Sequence, residues 1–92
     1  MMTIHVEFFG VPRLRAGVAS IAVLEERREA TLAEVLTATC RQLPDFEKAC
    51  VDQQQLRDGY VVSLAGQQFV RDPQTRILEG QAVLIMSADA GG

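Results

Sequence analysis

Lysine is almost missing from this chain: Lys48 stands alone against eight arginines. A protein built to be linked into lysine-joined polymers of itself would have little to work with. Clustered basic charge is missing as well. Arg27-Arg28 is flanked by Glu25, Glu26 and Glu29, and the net charge is -3. Phosphate backbones are bound by concentrated Lys and Arg, so nucleic acid is excluded as a partner. His5 is the single histidine, and the two cysteines, Cys40 and Cys50, lie ten residues apart with no C-x-x-C pattern. That leaves no ligand set for zinc or another metal, and no redox motif. Cys40 reads as an apolar helix residue and Cys50 as an incidental thiol.

Long apolar runs are absent too. No stretch approaches the roughly 18 residues of a membrane span, and residues 1 to 7 lack a basic segment followed by an apolar one. The expected location is the cytoplasm, with no membrane partner. There is no glycine-rich phosphate loop, and no serine, cysteine or lysine has an evident base partner. The chain is therefore not expected to be an enzyme on its own. His5 reads as a strand-surface residue, and the scattered carboxylates as solvated surface.

What is present is an ordinary globular composition of 48% hydrophobic and 23% charged residues over 92 positions, enough for one small core. Residues 3 to 9 alternate, with Ile4, Val6 and Phe8 to one side and His5, Glu7 and Phe9 to the other, the period of a half-buried strand. Gly10 and Pro12 break the run, and residues 18 to 24 return as a second strand, giving a hairpin. Thr31-Leu32-Ala33-Glu34 fits a capping box, so a helix starts at Thr31. Its apolar stripe is Leu32, Val35, Leu36, Thr39 and Leu43, and Pro44 ends it. Residues 45 to 59 are polar and weakly patterned, a connection with room for one helical turn. Residues 60 to 70 read as a second hairpin turning at Gly66, and Ala82 to Met86 as a last strand. Hairpin, helix, hairpin and strand make an α+β fold, a mixed sheet packed on one main helix, with the β-grasp topology. Residues 1–87 are expected to form the domain and 88–92 a flexible C-terminal tail.

That tail is where chemistry is expected. Ser87-Ala88-Asp89-Ala90-Gly91-Gly92 is small and polar, and its last five residues would span about 16 Å when extended. Two glycines without Cβ atoms thread narrow channels and take torsions closed to other residues, leaving the Gly92 carboxylate as the reactive group at the tip. By alternation Val83 and Ile85 face the helix. Leu84 and Met86 then point outward, with Phe9 on the same side of the neighbouring first strand, as a candidate partner surface.

Taken with the element order, three stretches carry a family resemblance: IHVEFFGVPRLRAG (4 to 17), ATLAEVLTAT (30 to 39) and LEGQAVLIMSADAGG (78 to 92). VSLAGQQFVRDPQTRI (62 to 77) adds a strand, glycine turn and strand. The chain resembles the MoaD/ThiS family of ubiquitin-like sulfur carriers over nearly its whole length. The resemblance implies that a ubiquitin-activating-type adenylyltransferase uses ATP and Mg to convert the Gly92 carboxylate to an acyl adenylate. Sulfur from a persulfide donor then displaces AMP, giving a thiocarboxylate. No cofactor is held by the chain itself. The implied acceptor is an enzyme such as the large subunit of molybdopterin synthase, in molybdopterin biosynthesis. Gly92 carries the group, Gly91 gives channel access, Ala90 keeps the approach narrow, and Phe9, Leu84 and Met86 meet the partner. Competing expectations are a covalent protein modifier, a carrier supplying thiamine, cysteine or another sulfur-containing product, and a plain binding module.

Overall fold

A computed structural model describes residues 1–88; Asp89 to Gly92, including the expected Ala90, Gly91 and Gly92 positions, lie outside the described residues. The first strand, β1 (Met2–Phe8), buries Met2, Ile4, Val6 and Phe8 and turns the residues between them outward, the alternation its sequence prescribes. It pairs antiparallel with β2 (Ser20–Glu25), from Met2↔Glu25 to Glu7↔Ser20.

The connection between them is not a plain loop. It holds a short helix, α1 (Val11–Ala16), with Pro12 in its first turn and Gly17 at its C-terminal end. Gly17 has φ 76°, and its N–H donates to the Arg13 carbonyl at 2.9 Å. Proline near the start and glycine just past the end are the residues that a helix tolerates there and nowhere inside.

After a brief strand β3 (Glu29–Thr31) comes the main helix, α2 (Leu32–Gln42), which starts as the capping box requires. The Thr31 Oγ1 accepts from the Glu34 N–H at 3.2 Å, and Glu34 Oε1 accepts from the Thr31 N–H at 2.9 Å. Two further N–H groups of the first turn find carbonyls in a distant loop: Leu32 donates to Thr75 at 2.8 Å and Ala33 to Pro73 at 3.0 Å. The free donors of the helix start are thus satisfied in part by chain forty or more residues away. Strand β8 (Arg76–Leu78) holds that loop in place by pairing antiparallel with β3, so Ile77 and Ala30 are buried side by side.

Replacing Thr31 with alanine is expected to lower stability by about 0.5 to 2 kcal/mol, read by urea unfolding. The reciprocal bond sets a pH dependence. The Thr31 backbone N–H is the largest influence holding the Glu34 carboxyl below its ordinary value of 4.5. A group depressed on folding stabilises above its unfolded value, and that contribution is lost as pH falls through the folded one. Acid titration of unfolding is therefore expected to show a component below pH 4.5 that Glu34→Gln removes.

Pro44 ends α2 and opens a third helix, α3 (Pro44–Cys50), in the connection that had room for one helical turn. Phe46 and Cys50, one turn apart, are fully buried, and the Phe46 ring meets Phe8 edge-on with centroids 5.2 Å apart. A small ladder of β4 (Val51–Asp52) and β5 (Gln55–Leu56) follows. Then β6 (Tyr60–Leu64) and β7 (Gln68–Val70) form the expected second hairpin, turning through Ala65 and Gly66, both at positive φ.

The last strand, β9 (Val83–Ser87), enters the middle of the sheet, antiparallel to β6 and parallel to β1, giving the order β2-β1-β9-β6-β7. Parallel pairing of first and last strands demands a crossover, which α2 and the second hairpin supply. Leu32, Val35, Leu36 and Thr39 of the expected stripe are buried in the core, while its fifth member, Leu43, lies just past the end of α2 and is half-buried; Thr39 Oγ1 donates to the Val35 carbonyl at 2.8 Å. The α+β, β-grasp architecture expected from the sequence is the one found. No described helix is long and apolar enough to cross a membrane.

Candidate functional site: the outer sheet face and the root of the chain end

Strand β9 is central in both senses: it is flanked on each side, and it delivers the chain to its last residues. Its alternation divides the two faces. Val83 and Ile85 are fully buried in the core, while Leu84 and Met86 lie half-buried on the opposite face. Cross-strand register builds the rest of that face. Leu84 stands between Glu7 of β1 and Ser63 of β6, Met86 lies opposite Val61, and Ser63 lies opposite Phe69 of β7. Side chains opposite one another across strands are in reach, so Leu84, Met86, Val61 and Phe69 make one apolar strip.

The predicted residues Leu84 and Met86 therefore do share the outer face, though each is partly covered by its neighbours. Phe9 lies one residue beyond β1. Its N–H donates to the Ile85 carbonyl at 2.9 Å, continuing the parallel ladder, and its side chain is 43% exposed. With Phe8 opposite Ile85, Phe9 falls level with Met86. Phe69, at 67% exposed, is a residue of this face that the sequence reading did not single out. Its signal was available in the alternation of β7, where Val70 faces inward and Phe69 must therefore face out.

Beyond Met86 the backbone is held by specific bonds up to the edge of the described chain. Ser87 pairs with Tyr60, and the Ala88 N–H donates to the Gly59 carbonyl at 2.7 Å. On the other flank Gly10 comes close: a Cβ there would stand 3.9 Å from Ser87 Oγ. The predicted Ala90, Gly91 and Gly92 lie outside the described residues.

Near this corner lies Cys50, which is fully buried. Burial pushes its thiol above the ordinary value, with the Tyr60 hydroxyl and the charges of Arg15 and Arg57 pulling the other way. Burial likewise pushes the Cys40 thiol up to about 11. Because the thiolate is the reacting form, neither cysteine of the folded protein is expected to react with a disulfide reagent at neutral pH, and both should titrate once the chain is unfolded. Rapid labelling of Cys50 in the native state would contradict its place in the core.

The sequence matches no protein-family model and no curated protein. Solved structures do match the fold. Small archaeal modifier protein 1 from Haloferax volcanii superposes with a TM-score of 0.75 at 17% identity, covering 95% of this chain and 98% of that one. A chain described as a putative molybdopterin converting factor, subunit 1, from Pyrococcus furiosus gives 0.74 at 15% identity, covering 95% and 98%. A chain of the Amycolatopsis orientalis BexX/CysO complex gives 0.74 at 19% identity, covering 97% and 99%. This chain thus shares, over nearly its full length, the β-grasp fold of these small proteins.

Proposed function

We propose that the chain is a ubiquitin-like sulfur carrier whose working group is the carboxylate of Gly92. The observation that carries this reading is the placement of β9: the strand leading to Ala90-Gly91-Gly92 runs through the centre of the sheet beside an apolar outer face. A partner seated on Phe9, Leu84, Met86 and Phe69 would hold the root of the chain end at a fixed distance from its own active site. Positioning of this kind converts an encounter into an effectively intramolecular step. The likeness to the molybdopterin converting factor subunit and to the BexX/CysO complex supports the same reading.

The chemistry follows from the group. A carboxylate is a poor electrophile, so an adenylyltransferase would first join one of its oxygens to the α-phosphate of ATP, with Mg, releasing pyrophosphate. Sulfide, or the terminal sulfur of a persulfide freed by a thiol, then adds to the acyl carbon and expels AMP. The chain supplies the carboxylate and the docking faces, and the partner supplies the catalytic groups. Molybdopterin synthesis is the favoured destination of the sulfur, received by a large-subunit partner; thiamine, cysteine and other sulfur-containing products draw on the same carboxylate.

A second reading has one specific support, the likeness to a small archaeal modifier protein. Here the activated Gly92 would be joined to a lysine of another protein. The two separate by intact-mass spectrometry after incubation with the host's adenylyltransferase, ATP, Mg and sulfide. The untreated mass reads whether the chain ends at Gly92. Gain of one oxygen-to-sulfur exchange is the expected result. Protein-sized adducts without that gain would favour the modifier, and no change with a partner known to be active would overturn both.

A further inference from the structure

The chain is acidic overall, with 12 Asp and Glu against 9 Lys and Arg, yet residues 8 to 24 contain no acidic residue at all. Within this stretch lies α1 with the turn that follows it, and there apolar side chains face water. Leu14 is 79% exposed, and Val11 and Val18 are each 40% exposed. These three, with Gly10, Arg13, Gly17 and Ala19, line an open dip on the surface. Arg13 and Arg15 stand in the last turn of α1, and no carboxylate among the described residues is in ion-pair distance of either. The described ion pairs instead join Arg27 to Glu25 and Glu34, and Arg76 to Glu29.

This patch is separate from the outer sheet face but adjoins the same root of the chain end. Phe9 belongs to the sheet face, and Gly10 immediately after it both opens α1 and approaches Ser87. A surface that is apolar at its centre, cationic at its margin and free of acids complements a partner with the opposite margin. Complementary rim charges speed encounter and exclude wrong partners more than they deepen affinity. An exposed apolar cluster with such a rim marks an interaction site.

Resting on the carrier reading above, we propose that α1 and its turn form a second docking surface, on which Leu14 seats in an apolar recess of the activating adenylyltransferase ringed by carboxylates that pair with Arg13 and Arg15. The sheet face would then fix the root of the chain end, and α1 would select the partner.

The test measures KM and kcat for adenylation of the full chain by its host's adenylyltransferase at low and at high salt. Arg13→Glu with Arg15→Glu is expected to raise KM by about tenfold or more at low salt, to leave kcat unchanged, and to flatten the salt dependence of KM. Arg13→Gln with Arg15→Gln should fall between, and Arg13→Lys with Arg15→Lys should restore most of the wild-type KM. Leu14→Ser should raise KM at both salt concentrations alike. All these side chains point to solvent, and melting curves verify that the fold survives. KM values within about twofold of wild type for both the charge reversal and Leu14→Ser would overturn the proposal while leaving the carrier reading standing. Failure of the wild-type chain to be adenylated would overturn the carrier reading itself, and this proposal with it.

Discussion

Deletion of Gly92 is expected to abolish formation of the thiocarboxylate completely while leaving the melting temperature where it was. The two effects separate because they depend on different parts of the chain. Stability comes from the core gathered around β1, α2, α3 and β9, whose last member along the described chain is Ile85. Glycine has no side chain to bury, and Gly92 stands seven positions further on. In the proposed carrier reading, activation requires the Gly92 carboxylate at a set reach from the docking face. Removing one residue draws that reach back by about 3.3 Å, more than the tolerance within which a reacting atom must be placed. It also leaves the group on Gly91, with Ala90 one step nearer the partner's channel. Intact mass and a melting curve on the same two samples decide the matter. A truncated chain still gaining sulfur would show that the acyl group sits elsewhere, and a large drop in melting temperature would show that Gly92 belongs to the folded structure.

Much of this fold is legible because local and global signals agree. The alternation of β1, the capping box at Thr31 and the stripe of α2 each specify one structure and one buried face, and all are found. The outward placement of Leu84 and Met86 follows from strand period alone. What escaped reading did so for identifiable reasons. Gly10 and Pro12 read as a break between strands, yet Pro12 together with Gly17 opens and closes a short helix, and six positions are too few for a periodicity to show. Pro44 marks the end of α2 as expected, but the same ring that stops one helix is well placed at the first turn of the next. The half-buried state of Leu84 could not be read at all, since it depends on which strands lie beside β9.

Residues 45 to 59 read as a polar connection with room for one helical turn, yet the helix found there carries one of the largest side chains of the core. Phe46→Ala is expected to destabilise the protein by about 3 to 5 kcal/mol, as deletion of a buried aromatic ring does. Phe46 has no exposed surface, and its ring packs edge-on against Phe8, which is itself buried at the end of β1. The helix carrying it is seven residues long, too short to persist without tertiary contacts. Losing the ring therefore removes both the packing of Phe8 and the main anchor of α3, and a cavity beneath so short a helix is open to water. For a domain of this size a loss of 3 kcal/mol corresponds to a fall in melting temperature of roughly 12 °C or more. Leu36→Ala, at a fully buried position of α2, is expected to cost about 2 to 5 kcal/mol in the same assay. If Phe46→Ala proved nearly neutral, α3 would be a surface attachment, and the burial of Cys50 one turn along would fail with it. Thermal melts of Phe46→Ala, run beside thiol accessibility of Cys50, test the two statements together: destabilisation with early exposure of Cys50 is the outcome that this packing requires.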